Sequence, residues 1–254
     1  LDALTREQVA EFYFSRLVPE QVIFGWGGDC TPEETQKWTR ELAAEIPWRR
    51  ERIDLPPEPV FPERPQTAEI ALPREQTMVI RAVPGPALND GRLSMCEILF
   101  QAENGLSSPI FKLVREENSL AYSTGMRLSG GFHPGWLLFY AVTTAESAER
   151  ALELLGSEQK RLAVNGLSET EFDAAREGAA FTAARGAESV AAALNSTLLS
   201  LHYGRDLNEC FRHEAELRNT GREELNALLA SYLSNPAAVR VLAGRLPNRK
   251  ETEK

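Results

Sequence analysis

Cysteine and histidine are both scarce in this chain, with three of each among 254 residues. Cys30, Cys96 and Cys210 are odd in number, widely spaced and without a CxxC pair, a pattern that fits neither a disulfide framework nor a zinc knuckle. Cys96 lies in an apolar stretch and is predicted to be a buried thiol. Nothing in the spacing favours a bond between Cys30 and Cys210.

Excess positive charge and long apolar runs are also missing. The formal net charge is −9 and no basic block offsets it, which argues against nucleic acid as a partner. No apolar run approaches the roughly 18 residues that a membrane span requires. Hydrophobic content of 43% and charged content of 26% are typical of a soluble globular protein. The sequence starts at Leu1 rather than Met, so we expect a piece of a longer protein.

Proline is concentrated in one segment. Residues 56–65, PPEPVFPERP, contain five prolines, which excludes a helix or a central strand and predicts an extended connector. We therefore predict a short first part at residues 1–50, a linker at 51–66, a main domain at 67–247 and a polar tail at 248–254.

The first part has the pattern of a helix, a strand and a second helix. Thr5 with Gln8 is a capping-box pair that predicts the start of the first helix. Val22 to Trp26 form an apolar run typical of a strand, and Thr31 is the predicted cap of the second helix. A single strand has no partner within this part, so its edges must be satisfied elsewhere.

The far end of the chain repeats this pattern. Thr220 with Glu223 repeats the capping box, and residues 239–243 repeat the apolar strand before a glycine. This self-similarity predicts that residues 1–50 are the end of a preceding domain homologous to the main one.

Hydrophobic periodicity predicts the remaining elements of the main domain. Strands are predicted at 68–73, 78–83, 120–128 and 136–143, and helices at 90–103, 109–117, 146–164, 169–201 and 222–233. Ser168 with Glu171 is a further capping box at the start of the longest helix, although Gly178 and Gly186 weaken its continuity. Strands grouped before helices predict an α+β fold with a largely antiparallel sheet and helices packed on one face.

The most informative segment is SSPIFKLVREENSLAY, residues 107–122. Ser108 is a natural N-cap and Pro109 suits the first helical position, so the segment predicts a short helix, a turn and a strand. Arg115 then closes the helix, and Tyr122 follows in the strand. This segment resembles the second half of the insulinase/pitrilysin zinc metallopeptidases, the inverzincins, in which an Arg and a Leu-Ala-Tyr sequence occupy the same places.

The resemblance extends from about Leu4 to Pro247. Gly27-Gly28-Asp29 is similar to the end of the family's first domain, and LSETEFDAAREGA, starting at Leu167, to a helix of its second domain. Arg176 stands where that family usually has Lys. The resemblance implies a processing-peptidase-like domain in which helices cover one face of the sheet, preceded by a helix-strand-helix remnant of the homologous domain.

The zinc motif of that family, His-x-x-Glu-His, is absent from this sequence. His133, His202 and His213 are too far apart to form it. The resemblance therefore implies no catalytic residue, metal or cofactor in this chain, with zinc supplied by a missing N-terminal half or a partner subunit.

By resemblance, Arg115 and Tyr122 are the residues that bind substrate. Guanidinium and phenol donors suit the carbonyl oxygens of an extended peptide. Two simpler interpretations stay open. Arg115 could only complement the helix dipole, and Tyr122 could be ordinary sheet core on the face of Leu120, Thr124 and Met126.

Three functions are consistent with these observations. The first is the C-terminal, substrate-binding and chamber-forming portion of a zinc-dependent endopeptidase that acts on peptides or unfolded proteins and is inactive alone. The alternative is a non-catalytic processing-peptidase-like subunit that serves as scaffold or partner of a zinc-bearing subunit. A peptide-binding module unrelated to proteolysis has least support. A homodimer is a further option, and bacterial cytoplasm and periplasm both fit.

Overall fold

The computed structural model describes residues 3–49, 54 and 56–247. The predicted tail at 248–254 and residues 51–53 and 55 of the predicted linker lie outside this range. The described linker residues 56–65 are irregular chain, as their prolines predict.

The helices are α1 (Arg6–Phe14), α2 (Pro32–Glu45), α3 (Leu93–Glu103), α4 (Pro109–Phe111), α5 (Ala148–Asn165), α6 (Glu169–Gly186), α7 (Val190–His202), α8 (Glu209–Asn219) and α9 (Arg222–Leu233). The strands are β1 (Gln66–Ala71), β2 (Gln76–Gly85), β3 (Ala121–Ser129), β4 (Gly135–Thr144) and β5 (Val239–Gly244).

The five strands form one sheet in the order β1-β5-β2-β4-β3. β2 pairs antiparallel with β4 and β5, and β3 pairs antiparallel with β4, whereas β1 and β5 run parallel. The prediction of an α+β fold with a largely antiparallel sheet is therefore confirmed. β5, the last strand of the described chain, lies between β1 and β2, so it joins the end of the main domain to its beginning.

One face of the sheet forms the core, as the alternating burial along β4 indicates. Leu137, Phe139 and Ala141 are fully buried, and they pack in one hydrophobic cluster with Leu155 and Leu162 of α5. α5 lies against β2 and β4 and also packs against α9. The helices therefore cover the face of the sheet that the strand pattern makes apolar.

Most helix starts follow the predicted caps. Thr5 accepts a hydrogen bond from the amide of Gln8, and Thr31 forms a capping box with Glu34. At Ser168, the backbone amide donates to Glu171 at 2.8 Å while the Ser168 hydroxyl accepts from the Glu171 amide. Each pair satisfies amides that a helix leaves without an intrahelical partner.

The predicted cap at Thr220 is wrong. α9 begins after Gly221, which makes no side-chain capping bond, and the Thr220 hydroxyl donates back to the carbonyl of Glu216 at 3.1 Å. Thr220 thus ends α8, a helix that the sequence analysis missed.

The predicted helix at 169–201 is two helices. α6 ends at Gly186, and α7 begins after Ser189, whose hydroxyl accepts a hydrogen bond from the amide of Ala192 at 3.1 Å. Because glycine weakens a helix and serine competes for backbone amides, the break falls where both residues occur.

The chain divides into two compact units. The first contains the described residues up to Pro57 together with 186–210, and the second contains 58–185 and the described residues from Phe211 onward. In the first unit, residues 22–27 are irregular chain, so the strand predicted at 22–26 is wrong. Within this unit the segment packs through side chains instead: Trp26 lies against Trp38 with ring centroids 5.5 Å apart and donates to Thr39 at 2.8 Å.

No helix in the described part of the chain is both long and apolar enough to cross a lipid bilayer.

Candidate functional site

Arg115 is positioned by a helix that changes type along its length. Ser108 caps α4, and Pro109 occupies its first turn. The chain then continues as a π-helical turn, Lys112–Glu116, in which the amide of Glu117 donates to the carbonyl of Lys112 at 2.9 Å. A π-helical turn holds one residue more than an α-helical turn and commonly occurs at functional sites. This extra residue sets the direction in which Arg115 leaves the helix.

Tyr122 is positioned by an irregularity in β3. Ala121 pairs with Thr143 and Ser123 pairs with Val142, so Tyr122 is an extra residue at a β-bulge. Bulges re-aim side chains and are frequent beside functional sites. As a result the Tyr122 side chain is 74% exposed at the edge of the sheet.

The turn between these two elements is strained at one position. Ser119 has φ of 53°, in the left-handed region that side chains other than glycine rarely adopt. Its amide donates to the carbonyl of Arg115 at 3.0 Å, and the next amide, of Leu120, donates to the carbonyl of Val114 at 3.0 Å. These bonds hold the tight turn that returns the chain towards Arg115.

The two predicted residues come together in the folded chain. Nη1 of Arg115 donates to the backbone carbonyl of Tyr122 at 2.6 Å. The guanidinium carbon also lies 5.2 Å from the ring centroid of Tyr122 and 5.2 Å from that of Phe111, within the range of cation–π attraction. A charged donor and an exposed phenol ring therefore face the same space.

This space is an open pocket of about 390 Å³. Its wall includes both predicted residues and four polar residues that the sequence analysis missed: Gln76, Ser119, Thr143 and Thr144. Thr143 also fixes the turn, since its hydroxyl donates to the carbonyl of Leu120 at 2.5 Å. Gln76, Thr143 and Thr144 come from β2 and β4, and no local sequence signal connects them with residues 107–122.

The simpler interpretation of Tyr122 as sheet core is wrong, because its side chain is exposed while Thr124 and Met126 are buried. Arg115 does lie in the last turn of its helix, as the dipole interpretation expects. Its hydrogen bond to Tyr122 and its two ring contacts show that it also organises the pocket wall.

No group of three or more His, Cys, Asp or Glu side chains in the described part of the chain could hold a metal ion. Nε2 of His213 instead contacts Oε2 of Glu97 at 2.7 Å. A catalytic zinc needs three protein ligands and an open position. The described residues do not bring three such ligands together.

Most of the chain is similar to known proteins. The profile of the peptidase M16 inactive domain matches residues 3–179. An uncharacterized zinc protease of Streptomyces coelicolor is 26% identical over 181 residues, which cover 68% of this chain and 39% of that protein. An uncharacterized zinc protease of Mycobacterium tuberculosis is 24% identical over 95% of this chain and 56% of its own length. The chain thus spans from two fifths to just over half of these relatives.

Solved structures share the fold. A peptidase M16 inactive domain from Pseudomonas fluorescens superposes with a TM-score of 0.77 and 20% identity, covering 99% of this chain and 60% of that one. A protease from Helicobacter pylori gives a TM-score of 0.80 at 14% identity, covering 95% of this chain and 60% of its own.

Proposed function

Because this chain belongs to the peptidase M16 family and matches its inactive domain, we propose that it is the substrate-binding, chamber-forming portion of a zinc-dependent endopeptidase acting on peptides or unfolded proteins. In this proposal a zinc-bearing half or partner subunit activates the water. The chain itself binds the peptide and is inactive alone.

The observation that carries this proposal is the joint placement of Arg115 and Tyr122 on one open pocket. Arg115 uses Nη1 on the Tyr122 carbonyl, and that bond holds its remaining donors at the pocket wall. An extended peptide presents carbonyl oxygens, which accept hydrogen bonds from guanidinium and phenol groups. A fixed cation also favours negative charge that develops on a substrate carbonyl during hydrolysis.

The zinc proteases among the relatives support the same function. They extend well beyond the matched part, so they are long enough to contain a second, zinc-bearing half. The alternative, a non-catalytic scaffold or partner of a zinc-bearing subunit, would not require an exposed Tyr122 beside Arg115. The pair therefore favours the substrate-binding function.

The test is cleavage of an unstructured fluorogenic peptide by this chain, alone and mixed with a zinc-bearing half of the same protein. We expect the chain alone to be inert, and the mixture to cut and to stop on addition of a chelator. Arg115→Ala in the mixture should lower kcat/KM at least about tenfold, the worth of one charge-assisted hydrogen bond. Arg115→Lys should recover part of the loss.

Arg127→Ala is the matched control, because Arg127 is an exposed arginine of β3 that lies over the ring of Tyr140 and is not part of the pocket wall. Equal losses in the Arg115 and Arg127 variants would contradict a specific role for Arg115. A mixture that stays inert, with zinc present and both pieces folded, would favour the scaffold function instead.

A further inference from the structure

A second groove, about 500 Å³ in volume, lies between α5 and the strands β2 and β5. Three cationic side chains line it, Arg81, Lys160 and Arg240, together with the carboxylates of Glu149 and Glu153. The chain as a whole has a net charge of −9, so a wall with more cations than carboxylates runs against its general charge.

Two arginines lie directly opposite each other in this wall. Arg81 of β2 is the cross-strand partner of Arg240 of β5. Like charges at opposed positions destabilise a sheet unless another group compensates them. Arg240 has such a group, because its Nη2 lies 2.5 Å from Oε2 of Glu149.

Arg81 has no such compensation in the described part of the chain. Its Nε donates to the neutral amide oxygen of Gln159 at 2.5 Å, and no carboxylate there forms an ion pair with it. Burial and repulsion from Arg240 both lower the pKa of Arg81, so the surroundings disfavour its charge. A half-buried cation without a counter-charge is costly, and a bound anion would relieve that cost.

The helix that faces Arg81 leaves room for such an anion. Gly156 lies in the middle of α5, where glycine is less favourable than alanine. A Cβ at this position would lie 3.6 Å from the Arg81 guanidinium. Glycine thus leaves no side chain of its own against the Arg81 guanidinium, and Lys160 follows one helical turn later on the same wall.

We infer that this groove binds a phosphate-type oxyanion between Arg81, Lys160 and Arg240. A multiply charged oxyanion matches several converging cations better than a single carboxylate does, because each oxygen can accept a charge-assisted hydrogen bond. The groove of about 500 Å³ has room for free phosphate and also for the organic part of a phosphomonoester, so the two are the candidate ligands. This site is separate from the Arg115 pocket and does not depend on peptidase activity.

The experiment is calorimetric titration of the chain with inorganic phosphate and with glycerol phosphate, at ionic strength held constant with chloride. We expect saturable binding of at least one of them, and acetate should bind more weakly. Binding of phosphate alone identifies free phosphate as the ligand, and tighter binding of glycerol phosphate identifies a monoester.

Arg81→Gln and Lys160→Gln should each weaken binding roughly tenfold, the loss of one charge-assisted hydrogen bond. Arg64→Gln, an exposed arginine outside the groove, is the control and should bind like the unchanged chain. Lys160 is exposed, so its variant tests the site even if Arg81→Gln impairs folding.

Gly156→Asp places a carboxylate beside Arg81 and should abolish phosphate binding, whereas Gly156→Ala should only reduce it. Equal binding by the Arg81, Lys160 and Arg64 variants would overturn the proposal. The proposal would also fail if the heat of binding appeared only when the ionic strength changed. Acetate binding as tightly as phosphate would overturn it as well.

Discussion

Oε1 of Glu103, at the end of α3, lies 3.5 Å from Nη2 of Arg161 on α5, and the Glu103 side chain is completely buried. The same nitrogen lies 2.7 Å from Glu158 and 3.4 Å from Glu171. One guanidinium therefore faces three carboxyl groups where α3, α5 and the start of α6 meet. Burial, and after it repulsion from Glu158, raises the pKa of Glu103 well above its ordinary value.

The first prediction concerns the pH dependence of stability. The folded chain keeps a proton on Glu103 that the unfolded chain releases near pH 4.5, so the free energy of unfolding falls as pH rises above that value. Glu103→Gln removes this titration and should raise the free energy of unfolding at pH 7.5 while changing it much less at pH 4.5. Urea unfolding from pH 4.5 to 8 measures it.

Glu188→Gln, on an exposed side chain, is the control and should leave the pH profile unchanged. A Glu103→Gln variant that is less stable than the unchanged chain at pH 7.5 would contradict this prediction and show that the ionised carboxylate stabilises the cluster.

The second prediction concerns thiol reactivity. Burial, followed by repulsion from Asp90 and Glu97, raises the pKa of Cys96 to about 12, and its side chain is only 1% exposed. Since the thiolate is the reactive form, Cys96 should resist iodoacetamide at pH 8 while the partly exposed Cys30 and Cys210 are alkylated. Mass spectrometry of the native chain checks this order, with a urea-unfolded sample as the control in which all three must react.

The third prediction concerns the side chain that ties α3 to the edge strand β3. Nδ2 of Asn104 donates to the carbonyls of Phe100, at 2.8 Å, and Met126, at 3.1 Å, while its Oδ1 accepts from the Met126 amide at 3.1 Å. Asn104→Ala leaves these backbone groups unpaired and should lower the free energy of unfolding by about 2 kcal/mol. Asn89→Ala, on an exposed turn, should change it by less than about 0.5 kcal/mol. Similar losses in the two variants would refute the specific role of Asn104.

The fourth prediction concerns the residue that ends α5. Gly166 has φ of 65° and ψ of −158°, and a Cβ there would lie 2.2 Å from the side chain of Asn226. Gly166→Ala should therefore destabilise the chain by about 2 kcal/mol or more in urea unfolding. Gly91 has open space around its Cβ position, so Gly91→Ala should be neutral or stabilise by up to about 1 kcal/mol. If the Gly166 variant were as stable as the Gly91 variant, the steric argument would fail.

The sequence predicted elements well where local chemistry determines them. All five strands of the sheet were located to within a few residues, because alternation and flanking turn residues are local signals. The apolar run at 22–26 has the same local pattern but is not a strand. A strand needs a hydrogen-bonded neighbour, and the sequence of residues 22–26 does not show whether one is available.

For the candidate site, the sequence predicted two of the residues but not the backbone geometry that positions them. Arg115 and Tyr122 are close in sequence, and the helix-turn-strand order indicates that they share one end of the sheet. The π-helical turn and the bulge depend on which backbone groups pair, and Thr143 reaches the site only through the pairing of β3 with β4. The cluster around Arg161 joins residues as far apart in sequence as Glu103 and Glu171, beyond any local pattern.

The π-helical turn and the β-bulge each accommodate one additional residue, and they lie on either side of the turn at Ser119. We therefore expect this segment to tolerate a single-residue deletion on either side, since a regular α-helical turn or a regular ladder would replace the irregularity. Such a deletion would rotate Arg115 or Tyr122 away from the pocket. Related chains that lack one residue in this segment would then keep the fold but lose the pairing of Arg115 with Tyr122 at the pocket.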